Sequence, residues 1–252
     1  MNTAIFLQYH KVTTKFELGG TWTHPSIFKR HVNFVKKKGL SGISRDLLKS
    51  LIWNEGAVLF TFDDAYKCVY ELAFPVLREA GLNGAIFIVT KYIGSTNDWD
   101  LNFGFKFSHV GKSEIRELHE NGWIIGSHTH THPDLLRVSE KKLKEELKVS
   151  RQILEDIIGD EVFAIAYPYG RYDERVLESA LEAGYTVGFA THKGKAYPGL
   201  EHMAIKRRGV YAIDLTIKPK VDYIPLWSEF ERGKEFIISK AADIAALLRK
   251  VD

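Results

Sequence analysis

Short apolar runs alternate along the chain with longer amphipathic segments. The runs have the length of buried strands and lie at residues 4–9, 57–62, 85–89, 123–126, 162–166 and 185–190. Between them, apolar residues recur at helical spacing, most clearly in residues 141–158 and 174–183. Strands that alternate with helices in this way are typical of an α/β protein with a parallel sheet or barrel.

The alternation continues without a sign of a domain boundary. The sequence contains no linker, no low-complexity tract and no internal repeat. A length of 252 residues is also common for a single α/β barrel. We therefore expect residues 1–252 to form one domain.

Composition excludes several classes of function. The 35 basic and 32 acidic residues leave a net charge of only +3, and no basic stripe is interleaved with aromatic residues, so we expect no nucleic-acid partner. Cys68 is the only cysteine, which excludes an internal disulfide bond and a cysteine-based zinc site.

The N-terminus favours a cytoplasmic location. It lacks a basic region before its first apolar run, and that run, residues 4–7, is too short for a signal peptide or a membrane span. We expect a cytoplasmic protein without a membrane-spanning segment.

Three histidines lie within five residues in the stretch "SHTHTHPDLL" at 127–136. His128, His130 and His132 follow the apolar run "GWIIG", so they lie at the carboxyl end of a predicted strand. Ligands and reactive groups collect at that end in parallel α/β folds. Imidazole is a common zinc ligand, and a catalytic zinc takes three protein ligands. The stretch alone leaves a metal site and a solvated loop as alternatives.

Two adjacent carboxylates follow another predicted strand, in "AVLFTFDDAY". Asp63 or Asp64 could cap the next helix, which explains one aspartate better than two. Neighbouring carboxylates repel each other, and a cation bound to one of them relieves the repulsion.

Three motifs together resemble a known family. "TFDD" at 61–64, "HTHTH" at 128–132 and "AYPYG" at 166–170 resemble, in order and spacing, the motifs of the polysaccharide deacetylases, also called carbohydrate esterase family 4 or the NodB-homology domain. The resemblance extends over about residues 7–211. It implies a distorted (β/α)7 TIM-like barrel and a metal-dependent hydrolase that deacetylates N-acetylated carbohydrate.

The resemblance assigns roles to these residues. Asp64, His128 and His132 would bind a divalent metal, while His130 stays outside the triad. Zinc is the expected ion, with Co2+, Ni2+ or Fe2+ as alternatives. Asp63 would be the general base that deprotonates the attacking water.

Two further groups complete the implied machinery. The backbone N–H of Tyr169, in the turn set by Pro168, would stabilise the oxyanion. The leucine-histidine motif that supplies the general acid in most members is missing, since His202 is the last histidine. "LQYHKV" instead resembles the branch that includes the poly-N-acetylglucosamine deacetylases, which makes His10 the expected acid.

The third motif departs from the family pattern. Ala166 occupies the place of an arginine that orients the catalytic aspartate. "IKRRGVY" at 205–211 resembles a segment of the same branch that supplies an arginine from a later strand. Arg207 is therefore the expected replacement, with Arg208 and then Arg171 as alternatives.

The sequence thus predicts an enzyme that deacetylates an N-acetylated sugar or polysaccharide precursor in surface-polysaccharide biosynthesis. Two alternatives remain open. One is a relative that hydrolyses a C–N bond in a small cyclic amide, although the intact metal-ligand set argues against it. The other is a catalytically silent carbohydrate-binding protein, which the missing motif-three arginine would explain.

Overall fold

Short parallel strands and the helices between them make up the fold. The computed structural model describes residues 4–16, 20–53, 55–96, 106–191 and 195–215. The strands are β1 (Ile5–Tyr9), β2 (Lys11–Val12), β3 (Trp22–Thr23), β4 (Ser41–Gly42), β5 (Ala57–Phe62), β6 (Gly84–Ile88), β7 (Ile124–Ser127), β8 (Ala164–Ala166), β9 (Val187–Ala190), β10 (Ile205–Lys206) and β11 (Arg208–Gly209). The helices are α1 (Pro25–Lys37), α2 (Arg45–Lys49), α3 (Phe74–Glu79), α4 (Lys112–Glu120), α5 (Glu140–Ile158) and α6 (Glu174–Glu182).

The segment 205–209 brings the two edges of the main sheet together. The sheet order is β10-β9-β8-β7-β6-β5-β1-β11, and all its pairs are parallel. Ile205 pairs with β9, and Arg208 pairs with Leu7 of β1. Since β10 and β11 are separated only by Arg207, they act as one broken strand. The result is a nearly closed barrel with seven strand positions, which confirms the expected (β/α)7 TIM-like architecture.

The strand and helix predictions agree with the structure. Each of the six apolar runs overlaps a barrel strand, and the two amphipathic segments correspond to α5 and α6. Among the described residues, no helix is both long enough and apolar enough to cross a bilayer.

Side chains alternate between the barrel interior and the layer under the helices. One buried cluster contains inward-facing residues such as Phe6, Leu59 and Phe87. Their neighbours along the strands belong to a larger cluster that packs against the helices. Alternation follows from the period of two in a strand. The same alternation directs a polar side chain into the barrel interior where a polar residue occupies an inward-facing position of a strand.

Gly126 allows an aromatic ring to fill the interior. A Cβ at this position would lie 2.5 Å from the ring of Phe87, so a larger residue in β7 would displace the ring. The same ring covers a buried guanidinium group, that of Arg207, whose centre lies 5.3 Å from it.

A buried hydrogen-bonded chain fastens α1 to the barrel. The ring of His31 lies between the hydroxyl of Tyr9, 2.9 Å from Nδ1, and the backbone carbonyl of Asp214, 3.0 Å from Nε2. The carbonyl can only accept, so Nε2 carries the proton and Nδ1 accepts from Tyr9. Burial lowers the pKa of His31 to about 4, although the Asp214 carbonyl and charge act in the opposite direction.

The buried hydrogen bonds of His31 predict that the protein loses stability in acid. Above pH 6.5, His31 is neutral in both the folded and the unfolded protein. As the pH falls toward 4, only the unfolded chain takes up the proton, so the free energy of unfolding should fall by up to about 3 kcal/mol. His31→Gln keeps a donor and an acceptor without titrating, and should reduce this loss in urea unfolding measured from pH 7 to 4.5. Equal pH dependence of the two proteins would contradict the assignment.

Candidate metal centre and active site

The predicted site residues follow the carboxyl ends of neighbouring parallel strands. His10 follows β1, Asp63 and Asp64 follow β5, and His128 follows β7. The backbone N–H of Asp63 donates to the carbonyl of Tyr9 at 2.9 Å, which extends the β1–β5 pairing beyond both strands. Parallel pairing therefore delivers these side chains to one rim of the barrel.

Asp64, His128 and His132 form a buried cluster. The Oδ1 atom of Asp64 lies 3.6 Å from Nε2 of His128 and 3.7 Å from Nε2 of His132. One potential ligand atom from each residue lies within 4.8 Å of the others. Among the described residues, this is the one group of three such side chains that could hold a metal ion.

The cluster fits a metal ion in both size and donor chemistry. Ligand atoms of a tetrahedral zinc site lie about 3.4 Å apart when each is about 2.1 Å from the ion. The two Asp64–histidine separations are within a few tenths of an ångström of that spacing. Two imidazoles and one carboxylate also match the donor types that divalent transition metals prefer.

The orientation of His128 makes its Nε2 atom available as a ligand. Nδ1 of its ring lies 2.6 Å from the carbonyl oxygen of Ala166, which can only accept a hydrogen bond. The proton therefore resides on Nδ1, and the lone pair of Nε2 faces Asp64. Burial lowers the pKa of His128, against the opposing charge of Asp63, so the ring is neutral at pH 7. Ala166 thus contributes through its backbone, although its side chain is not the family's arginine.

The backbone around the cluster takes up left-handed conformations. Asp64 has φ of 66°, Thr129 of 67°, His132 of 61° and Tyr169 of 58°. With Ala65, these make up five of the six non-glycine residues with positive φ in the described part of the chain. Such conformations are costly for residues with a Cβ and concentrate at functional sites. Here they aim the side chains of two of the three cluster residues.

His130 is not part of the cluster and has hydrogen-bond partners elsewhere. Its Nδ1 atom lies 2.9 Å from the hydroxyl of Thr90, at the end of β6. Its backbone N–H donates to the carboxylate of Glu146 on α5 at 2.9 Å.

Arg207 holds Asp63 in a bidentate ion pair. Its Nη1 and Nη2 atoms lie 2.7 and 2.8 Å from the two carboxylate oxygens, and Gln8 donates a third hydrogen bond at 2.7 Å. Nη1 of Arg207 also donates to the hydroxyl of Thr61 at 3.0 Å. The guanidinium group lies against the ring of Phe87 and is only 1% exposed. Arg207 is therefore the arginine that contacts Asp63.

The other two candidate arginines have different surroundings. Arg171 pairs with Asp134 at 2.7 Å, just beyond the histidine motif. Arg208 belongs to β11, where its charge acts on Tyr9 and His31.

The ion pair keeps Asp63 charged in a buried position. Burial alone raises the pKa of Asp63, but the charge of Arg207, with smaller contributions from His128 and His10, outweighs it. The pKa of Asp63 is therefore well below its usual range, and the carboxylate is ionised at neutral pH.

His10 lies within electrostatic reach of Asp63. Burial lowers the pKa of His10 to about 4, while the charge of Asp63 raises it and the charges of Lys11 and Arg207 lower it. The imidazole is thus neutral at pH 7 in the substrate-free protein. An acid role for His10 requires a proton gained during the reaction.

Tyr169 lies next to His132. It belongs to the short helical turn Pro168–Gly170, and its ring contacts that of His132 edge to face with centroids 4.8 Å apart. The turn therefore places the Tyr169 ring against one of the candidate metal ligands.

Sequence analysis missed three polar residues that support the site. They are Gln8, which donates to Asp63; His109, whose Nδ1 lies 2.7 Å from the backbone carbonyl of Asp64; and Glu146. Gln8 had a detectable signal, because a polar residue interrupts the apolar run of β1. Glu146 had another, because it is charged on the apolar face of α5.

Comparisons with known proteins agree with this architecture. PplD, a deacetylase of Streptococcus pyogenes solved with acetate, superposes with a TM-score of 0.71 at 22% identity, covering 82% of this chain and 92% of PplD. IcaB from Ammonifex degensii gives a TM-score of 0.70 at 19% identity, covering 92% of this chain and 97% of IcaB. At these identities the likeness shows the shared fold.

Two relatives found by sequence have a higher identity to this chain than these two solved structures. YxkH of Bacillus subtilis (strain 168), a predicted polysaccharide deacetylase, is 28% identical over 199 residues. That match covers 75% of this chain but only 65% of YxkH, less than two thirds of its length. A poly-β-1,6-N-acetyl-D-glucosamine N-deacetylase of Staphylococcus epidermidis is 25% identical, covering 82% of this chain and 78% of that protein.

The family model described as polysaccharide deacetylase matches residues 53–188, more than half of the 252 residues. The matched region contains the two adjacent aspartates, the histidine motif and the turn at Tyr169. With a nearly closed seven-position barrel that gathers these motifs at one rim, the chain belongs to the polysaccharide deacetylase family.

Proposed function

We propose that the protein is a metal-dependent N-deacetylase that hydrolyses the acetamide group of an N-acetylated sugar or polysaccharide precursor. One observation carries this proposal. A charged Asp63, held by Arg207 and Gln8, adjoins a buried cluster of Asp64, His128 and His132 that has the dimensions of a metal site.

Asp64, His128 and His132 would hold the metal, for which we propose zinc. When bound, such an ion polarises the acetamide carbonyl and lowers the pKa of the attacking water. The buried, neutral imidazole of His128 suits this task, because a protonated ring could not act as a ligand.

Asp63 would take the proton of the attacking water. Its three hydrogen bonds fix the carboxylate plane, and the bidentate grip of Arg207 orients it as well as keeping it ionised. The new C–O bond forms as the proton moves to Asp63, and the acetamide carbonyl becomes a tetrahedral oxyanion. The backbone N–H of Tyr169 would donate to that oxyanion.

His10 would protonate the departing amine as the C–N bond breaks. The imidazole is neutral in the substrate-free protein, so it must first take up a proton from solvent, and Asp63 returns the proton of the attacking water to solvent after acetate leaves. A negative charge that develops beside it favours the imidazolium form, as the charge of Asp63 already does. The products are acetate and a free amino sugar.

The substrate we propose is an N-acetylated glucosamine unit. The Staphylococcus epidermidis relative is named for poly-β-1,6-N-acetyl-D-glucosamine, which supports this substrate class and a role in surface-polysaccharide synthesis. A cytoplasmic location remains a prediction from the sequence. If it holds, a lipid-linked or nucleotide-linked precursor is the form within reach.

The structure weakens the alternative of a catalytically silent carbohydrate-binding protein. The silent carbohydrate-binding protein drew its main support from the missing arginine of motif three, and Arg207 supplies a guanidinium group to Asp63 in its place. The hydrolase of a cyclic amide has no specific observation in its favour.

Metal content provides the first test of the proposed function. Purified protein should bind one divalent transition metal per chain, and both Asp64→Ala and His128→Ala should lower the stoichiometry because each removes a ligand. His130→Ala is the matched control: it removes a histidine of the same motif that faces Thr90, and should leave the stoichiometry unchanged. Unchanged metal content in both ligand variants would refute the assignment.

Replacing Asp63 should separate catalysis from metal binding. Asp63→Asn removes the base but no ligand, so kcat on N-acetylglucosamine oligomers should fall by about 10² to 10⁴ while metal stoichiometry is retained. Turnover close to that of the unaltered protein would show that Asp63 is not the base.

His10→Ala should lower kcat by about 10² to 10⁴ with the metal still bound. The loss should be smaller for an activated aryl acetate, because its leaving group needs no proton. Equal losses on the amide and the ester would indicate a structural histidine instead.

A further inference from the structure

A charged side chain lies on the apolar face of α5. Glu146 is fully buried, among neighbours such as Leu143 and Leu147 that belong to the core. Burying a carboxylate is costly unless it is paired or hydrogen-bonded. The partners of Glu146 lie mostly outside its own helix, in the loop that carries the metal-ligand histidines.

Three donors of that loop converge on Glu146. Its Oε2 atom accepts the backbone N–H groups of His130 at 2.9 Å and Thr131 at 2.7 Å. Its Oε1 atom accepts the hydroxyl of Thr131 at 2.7 Å. Lys142, one helical turn earlier, adds an ion pair at 3.3 Å. Successive backbone N–H groups that converge in this way form an anion-binding concavity, and Glu146 is its internal anion.

The remaining N–H groups of the loop also donate to side chains. The N–H of Thr129 donates to the hydroxyl of Ser127 at 3.0 Å, and that of His132 donates to the hydroxyl of Thr129 at 3.0 Å. The four N–H groups from Thr129 to His132 are therefore all satisfied by side-chain oxygens. Because none of these N–H groups bonds within a helix or a sheet, the shape of the loop depends on the side-chain oxygens.

The opposite side of the loop is fixed by the short helical turn Thr90–Tyr92 that follows β6. The carbonyls of Thr129 and His130 accept the backbone N–H groups of Thr90 at 3.2 Å and Lys91 at 2.9 Å. The loop is thus held between backbone donors on one side and Glu146 on the other. This arrangement offsets the cost of the left-handed conformations at Thr129 and His132.

We propose that Glu146 is a positioning residue that sets the separation of His128 and His132 and thereby the affinity for the metal. The inference rests on the proposed function, since it assumes that these histidines are ligands. What matters is that the side chain of Glu146 is long enough for its oxygens to accept the hydrogen bonds of the loop. The negative charge itself is not required for this positioning.

Two conservative variants separate reach from charge. Glu146→Gln keeps the side-chain length, so its amide oxygen can accept both backbone N–H groups while its NH2 group donates to the Thr131 hydroxyl. Glu146→Asp keeps the charge but withdraws the oxygens by one methylene group. Glu145→Asp is the matched control, since it makes the same change at the preceding residue, where the side chain is about half exposed.

The test is the dissociation constant for zinc, measured on metal-free protein with a competing chelator. Glu146→Asp should bind zinc about 10- to 100-fold more weakly, the usual effect of losing a residue that orients a metal ligand. Glu146→Gln and Glu145→Asp should remain within about threefold of the unaltered protein. The melting temperature of each metal-free variant, measured in parallel, confirms that the protein titrated is folded.

Three results would overturn the inference. Unchanged zinc affinity in Glu146→Asp would show that Glu146 stabilises the fold only. Weak binding by Glu146→Gln with normal binding by Glu146→Asp would show that charge, not reach, is what matters. Absence of zinc binding in the unaltered protein would refute the proposed function together with this inference.

Discussion

The ion pair between Asp63 and Arg207 links the architecture of the barrel to its chemistry. The two residues are 144 positions apart, and Arg207 lies at the break between β10 and β11, where the chain joins the two edges of the sheet. A buried pair is stable only when both charges are well hydrogen-bonded. Gln8 and Thr61 add hydrogen bonds to the pair, and the ring of Phe87 covers the guanidinium group, whose Nε atom has no hydrogen-bond partner among the described residues. Arg207 therefore lies where the barrel closes, and its side chain keeps the candidate base ionised.

This pair divides two adjacent aspartates into different roles. Asp63 lies in the barrel interior, where the forked donors of Arg207 engage both of its oxygens. At Asp64 the backbone turns left-handed, and the side chain faces His128 and His132. His109 supports this turn through the backbone carbonyl of Asp64. The repulsion between neighbouring carboxylates is thus relieved by one cation inside the barrel and, under the proposed function, by a second at its rim.

Local pattern was sufficient to predict six of the seven barrel positions, because the buried strands leave apolar runs. The seventh, formed by β10 and β11, has no such run because each strand is only two residues long. The residues of the metal cluster came from the family resemblance, and the structure brings them together. Gln8, His109 and Glu146 were missed because their partners lie 55, 45 and 15 to 16 residues away. Only parallel pairing and the packing of α5 bring such residues to the site. A charge at an apolar-face position of α5 was the one local indication of Glu146.

The most direct test of this account is anomalous diffraction at the zinc edge from crystals of the protein loaded with zinc. The account predicts one strong peak, with Asp64, His128 and His132 at about 2.0–2.2 Å and Asp63 outside the coordination sphere, still paired with Arg207. A peak coordinated by Asp63, or one bound through His130 in place of His128 or His132, would contradict it.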